Sequence, residues 1–337
     1  MKKFRLSKAL ALAAVFALAA GAASAGTLGE LFGAATQSSQ EYSLYKIDLD
    51  IAQLKKTKGE IEAKVELDRL NAQFAYLGSV AAYRISVLGF YNEVIDAAFA
   101  AATAEADVAS VSLALENAKE DRKFADSRFK NGLISEEVFK EIDIAFKTTS
   151  TNYELAAWTL ADAKDNFRLV TGLEWKAELL PEVPAFSPGG SAELWIANNT
   201  ALERARTSEK IAALKTASLA TNASVYDRRI QETENVRAKV SLAGAESDAK
   251  RAFESAVSTL RNQASLLQIR KDEHALKEAA YQDALKQFER GMISLNDKNL
   301  RAMAVLAARK NLLTVQKNYI KSIGSYLSAT GENPLGI

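Results

Sequence analysis

Proline is the residue a helix tolerates least, and this chain of 337 residues has only four. Each proline lacks a backbone N–H, and its ring clashes with the preceding turn. Pro181, Pro184 and Pro188 crowd into LLPEVPAFSPGG, and Pro334 lies in the tail. Glycine is confined in the same way, with none in 90–131, 133–171, 191–243, 245–290 or 292–323. Alanine and charged residues dominate those tracts, a composition that favours long helices packed like coiled coils. The expected fold class is therefore all-α, with residues 181–191 as a Pro/Gly linker.

The two halves align on each other without a gap, positions 128–172 falling on 287–331. RFKNGLIS (128–135) falls on QFERGMIS (287–294), matching Phe129 to Phe288, Gly132 to Gly291, Ile134 to Ile293 and Ser135 to Ser294. Thr171-Gly172 falls on Thr330-Gly331. Between these points Phe146, Tyr153, Leu160 and Phe167 recur every seventh position, as do Val305, Leu312, Tyr319 and Tyr326. A heptad repeat of apolar residues keeps one stripe against a partner helix and winds the pair left-handedly. We read a duplicated unit, each copy an antiparallel helical hairpin.

In each hairpin a long helix ends near Lys130 or Glu289, and a return helix runs over about 136–171 or 295–330. Gly132 and Gly291 supply the left-handed backbone for the reversal. Ser135 and Ser294 are the expected N-caps of the return helices, and Gly172 and Gly331 their C-caps. Earlier breaks are expected at KTKGE (56–60) and TNAS (221–224). The alternative is helices that run straight through, because Ile47, Ile51, Leu54, Ile61 and Val65 keep a coiled-coil spacing across Gly59.

Lys2, Lys3, Arg5 and Lys8 precede an apolar run from Ala9 to Ala20 and an Ala23-Ser24-Ala25 cleavage site. This pattern is a secretory signal peptide, cut after Ala25. Domain bounds follow: 1–25 signal peptide, 26–180 first hairpin repeat, 181–191 linker, 192–331 second repeat, 332–337 tail. Removing four of the 43 basic residues leaves a small excess of the 42 acidic ones, so net charge gives no reason to bind nucleic acid. No later stretch reads as apolar for the ~20 residues a transmembrane helix needs.

The chain has no cysteine, which excludes disulfides, thiolate metal sites, thiol nucleophiles and an acylated-cysteine anchor. Its one histidine, His274, has no companions to complete a metal site or a catalytic triad and reads as a solvated helix residue. Mixed-charge runs such as ENAKEDRK (116–123) read as solvated, ion-paired faces. No glycine-rich phosphate loop is present. No catalytic residue, cofactor or metal is therefore expected, and the chain is not read as an enzyme.

An exported chain of two repeats, each with F-x-x-G-x-[IV]-[ST] at a hairpin and T-G closing the return helix, resembles the TolC-like outer-membrane efflux proteins. The linker LEWKAELLPEVP and the segment WIANNTALERA (195–205) fit that family's mid-chain. The resemblance implies three protomers closing into a periplasmic α-helical barrel, with hairpin tips that meet a periplasmic adaptor working with an inner-membrane transporter. It carries the tips onto Asn131, Gly132, Leu133, Ile134 and Ser135, and onto Arg290, Gly291, Met292, Ile293 and Ser294. It also carries a tunnel-entrance acid onto Asp297, whose counterpart in the first repeat is Val138. It further implies membrane-spanning strands near 56–66 and 221–226, but neither stretch has the ~10-residue alternation such strands need.

Two functions follow. One is an envelope efflux or export component forming a periplasmic helical tunnel, located in the periplasm or outer membrane of a two-membrane bacterium. The other is a non-conducting coiled-coil protein that spaces or tethers envelope layers.

Overall fold

The computed structural model describes residues 27–189 and 192–336, so the signal peptide lies outside the described residues. Helices α1 (Leu28–Ser38), α2 (Gln40–Glu62), α3 (Glu66–Lys130) and α4 (Glu136–Thr171) precede the linker. Helices α5 (Ala192–Ala197), α6 (Thr200–Ala217), α7 (Val225–Glu289) and α8 (Leu295–Thr330) follow it. No strand occurs among the described residues. The all-α expectation, with long antiparallel hairpins and no barrel strands, is met.

Helices α3 and α7 each have 65 residues, and α4 and α8 each have 36. At 1.5 Å per residue the longer pair run about 98 Å. The shift that carries Gly132 onto Gly291 also carries every bound of α3 and α4 onto the matching bound of α7 and α8. Among the described residues, positive φ occurs at four glycines: Gly132 (69°), Gly172 (73°), Gly291 (72°) and Gly331 (84°). A side chain at these angles meets the following carbonyl, so glycine is the residue that can end these helices without strain.

The helices break near both expected places, but the first break is displaced from KTKGE (56–60), through which the helix runs straight as in the alternative reading. Gly59 lies inside α2, and the chain turns only at 63–65, where Ala63 takes an extended ψ of 125°. At Gly59 the helices approach so closely that a Cβ would sit 2.8 Å from that of Ala72. The second break spans 218–224 and is closed by Ser224, which accepts from the Asp227 N–H at 3.0 Å. Short turns thus stand where the family resemblance implied strands.

The described chain forms two compact units, each drawing on both halves of the sequence. The first combines residues up to Ala35 with Val94–Val183 and Gln263–Tyr319. Its core includes Ala106 and Leu113 of α3, Tyr281 of α7, and Ala302, Val305 and Leu306 of α8. Phe167 meets Trp175 edge-on at 5.0 Å, and the Trp175 indole N–H donates to Glu105 at 2.9 Å.

The second unit combines Thr36–Glu93, Pro184–Asn262 and the chain from Ile320. Tyr91 is fully buried, and its hydroxyl donates to the Ile320 carbonyl at 2.8 Å. The ring lies on Gly324, where a Cβ would collide with it. Tyr326 packs against Trp195 and against Phe186 of the linker. The Pro-rich segment is therefore anchored by an aromatic side chain.

Helix α3 carries a window long and apolar enough to cross a membrane by composition. The core residues Val87, Phe90, Val94, Ile95, Ala98 and Phe99 lie along this helix and are buried in the protein. Alanines between the larger residues raise its hydropathy, which a search for unbroken apolar runs passes over.

Candidate docking site at the two glycine turns

Both glycine turns belong to the first unit. At the first, the Leu133 N–H donates to the Arg128 carbonyl at 2.8 Å and the Gly132 N–H to Phe129 at 2.9 Å. At the second, Met292 donates to Gln287 and Gly291 to Phe288, both at 2.9 Å. This pair of bonds satisfies the carbonyls left open at a helix C-terminus and makes the reversal rigid. The Asn131 side chain adds a bond to the Ser127 carbonyl at 2.9 Å. Arg290, at the matching position, is exposed and donates its N–H to Lys286 at 3.3 Å.

Within each turn the two apolar residues divide. Ile134 and Ile293 are half-buried, whereas Leu133 and Met292 are each 67% exposed. The isoleucines are turned partly away from solvent, and the residues directly after the glycines project outward.

The return helices start differently. Ser135 accepts from the Val138 N–H at 3.3 Å and receives nothing back from that side chain. Ser294 accepts from the Asp297 N–H at 3.1 Å, and Asp297 in turn accepts from the Ser294 hydroxyl at 2.7 Å and N–H at 3.3 Å. This is a reciprocal capping box. The bonds from Ser294 hold the Asp297 carboxyl below the ordinary aspartate range. Asp297 is exposed and acts as a helix cap.

Above the first turn, Phe124, Ala125, Arg128, Ile134, Val138 and Phe146 line an open groove of ≈ 360 Å³. Its rim is charged. Asp143 accepts from Lys147 at 2.7 Å and from Arg122 at 2.5 Å, and these two cations hold its carboxyl below the ordinary aspartate range. The groove and the polar rim were not legible in the sequence, because they arise from the way α3 faces α4.

A buried polar bridge joins α3 to α8. The Asn299 amide donates to Glu116 at 2.9 Å and to Asn117 at 2.8 Å, and Asn117 donates to Asn296 at 2.7 Å. Asn299 is fully buried, so this bridge ties the two hairpins together in a low-dielectric setting. His274 is half-buried rather than solvated, and burial lowers its pKa.

No family model and no curated protein matches the chain. Solved structures do. The Campylobacter jejuni CmeC outer membrane channel is similar at a TM-score of 0.59 and 12% identity, covering 90% of this chain and 85% of the channel. The fold is that of the outer membrane channels. A membrane protein from Pseudomonas aeruginosa gives 0.61 at 11% identity, covering 91% of this chain and 90% of its own. The outer membrane protein VceC of Vibrio cholerae gives 0.55 at 14% identity, covering 91% and 96%. The TolC-like resemblance read from the sequence is thus met at the level of fold. What is shared at such identities is the backbone path, and a fold by itself does not assign a function.

Proposed function

We propose that the chain is a subunit of a homo-oligomeric helical conduit in the cell envelope, serving efflux or export. Trimeric assembly, a periplasmic adaptor and an inner-membrane transporter come to it from the family resemblance, together with an address at the outer membrane. The observation that carries the docking step is the pair of projecting side chains Leu133 and Met292, at equivalent places on two turns of the same geometry. A rigid turn that presents one large apolar residue to solvent supplies an anchor for a partner at little ordering cost.

A second feature supports self-association. Ile144, Leu155, Trp158 and Leu169 of α4 are exposed, and their spacing puts them on one helix face. That face lies opposite the seam of Phe146, Tyr153, Leu160 and Phe167. Exposed apolar residues recurring along one face suit an interaction surface, and a second copy covers them in this reading.

The test has two parts. Electron microscopy of the purified protein should show closed rings with a lumen, and Trp158→Glu with Leu169→Glu should reduce them to single subunits. Leu133→Asp with Met292→Asp should abolish capture of a periplasmic adaptor while leaving the circular dichroism spectrum unchanged. Solid bundles, or undiminished capture, would reject the conduit and the docking step respectively.

The short turns at 63–65 and 218–224 favour a second reading, a rod that spaces or tethers envelope layers without conducting. Solid bundles under the microscope would select it.

A further inference from the structure

The second compact unit holds a groove of ≈ 500 Å³ bounded by three helices. Phe74 of α3 stands on one side. Arg204, Ser208, Ile211 and Lys215 of α6 form the second, and Glu234, Arg237 and Ser241 of α7 the third. On α6 and on α7 these residues recur at steps of three and four, so each set shares one helix face. Alanines 205, 212 and 238 lie among them, and their small side chains leave the groove open.

The order of groups along the groove follows from one contact. The Thr216 hydroxyl donates to the Gln231 carbonyl at 3.3 Å, across the turn that joins α6 to α7. The helices run antiparallel from there. Counted at 1.5 Å per residue, Ser241 stands about 3 Å from the level of Arg204, and Arg237 about 3 Å from that of Ser208. Glu234 and Lys215 stand at the turn end, at least about 13 Å from the level of Arg204.

Arg204 is backed by an aromatic ring, its guanidinium carbon 4.6 Å from the centre of Phe74. A stacked guanidinium keeps its edge N–H groups available to a planar acceptor. Among the described residues, none of Arg204, Arg237 and Lys215 forms an ion pair. Glu203 accepts from Gln73 at 3.3 Å instead, and Glu246 pairs with Arg206. Glu209, Lys210, Glu232 and Lys239 do not line the groove. The stretch from Arg204 to Arg237 thus holds two guanidiniums and two hydroxyls, and the one carboxylate of the lining, Glu234, stands beyond Arg237. Two like charges facing one groove repel, and an anion between them relieves the repulsion.

We propose that this groove binds an organic oxyanion, a carboxylate or phosphate group joined to an apolar body. The anionic group takes the edge donors of Arg204, with the Ser208 and Ser241 hydroxyls beside it and Arg237 adding its field. The apolar body lies on Ile211 and the alanines, in a space of the size small ligands occupy. The site is separate from the glycine turns and does not depend on the conduit reading.

Isothermal titration of the protein at low salt tests this with phenyl phosphate and benzoate as probes. At least one of them should bind about tenfold more tightly than inorganic phosphate or phenol does. Arg204→Lys keeps the charge and loses the fork, and should weaken binding about tenfold. Lys215→Gln removes a charge at the far end and should change binding less than about twofold. Both side chains are exposed, so both variants should keep the parent's circular dichroism spectrum. Equal binding of inorganic phosphate, or equal losses in the two variants, would reduce the site to diffuse surface charge and overturn the proposal. Equal binding of phenol would leave an apolar groove with no use for the arginine, and no binding of either probe would reject the site outright. Binding of short-chain phosphatidylglycerol in place of both probes would assign the groove to a lipid headgroup and overturn it as well.

Discussion

The Lys298 ammonium sits 5.0 Å from the centre of the Phe288 ring. One repeat earlier, Phe129 and Phe139 occupy the same two positions and stack at 5.2 Å with ring planes 12° apart. The same brace below a glycine turn is thus built once from two rings and once from a ring and a cation. Lys298 is buried, so its contact is partly desolvated.

The brace makes the first prediction. Lys298→Met keeps the alkyl stem and removes the charge, and should cost about 1 kcal/mol. In a Phe288→Leu background the same change should cost much less. A double-mutant cycle on urea unfolding measures the difference; equal losses in both backgrounds would leave the cation no role.

The unequal caps make the second. Asp297 gains its bonds from Ser294, which depress its pKa in the folded state. Its contribution is therefore present above the ordinary aspartate range and lost as pH falls through the depressed value. Asp297→Asn should flatten the acid limb of the stability profile. Val138→Asp should install the missing box at the first turn and steepen that limb, read from urea midpoints between pH 3 and 7.

His274 makes the third. Burial is the largest influence on it and lowers its pKa, Arg309 lowers it further, and Glu278 opposes both. A histidine depressed in the folded state binds its proton more readily when unfolded. Stability then rises with pH between the folded and unfolded values, is full above the unfolded value near 6.5, and falls on acidification through that window. His274→Leu should remove this component between pH 5 and 7.5, and an unchanged slope would show that the ring titrates as it does in the unfolded chain.

The fourth concerns Gly324. Added volume at a packed ring costs about 1–3 kcal/mol, so Gly324→Ala should destabilise the second unit by that order. Tyr91→Leu should relieve the clash while giving up the hydroxyl bond to Ile320. Thermal melts of the two single variants and the double variant test this, and additive losses would argue against a shared contact.

Much of the hairpin architecture could be read without coordinates because it rests on local rules. Gly132 and Gly291 announce the reversals, Ser135 and Ser294 the helix starts, and Gly172 and Gly331 the ends. Helix bounds expected near 130, 136, 171, 289, 295 and 330 coincide with those observed. Other features escaped. Gly59 marks a close approach to Ala72 within a continuous helix, and the break comes after it. Glycine permits both a turn and a contact, and local sequence does not separate the two. The α3 core was passed over for a related reason, since small residues dilute an apolar run without diluting its burial.

The residues at the glycine turns show the same division. Sequence placed Leu133-Ile134 and Met292-Ile293 at the turns, but which of each pair projects depends on backbone direction after a left-handed glycine. The heptads show it again. Val305 and Tyr319 are buried, whereas their first-repeat counterparts Phe146 and Leu160 are half-buried; Tyr326 and its counterpart Phe167 are both buried. One period thus serves both a core helix and a more exposed one.

By itself, the sequence determined where helices run, where they reverse and which stripe of each seeks a partner, because propensity, capping and periodicity act within a few residues. Tertiary structure alone decided which stripes are covered, which turns present apolar side chains, and that Asp297 is held by Ser294. Burial and exposure depend on what packs alongside, and those neighbours come from segments far away along the chain.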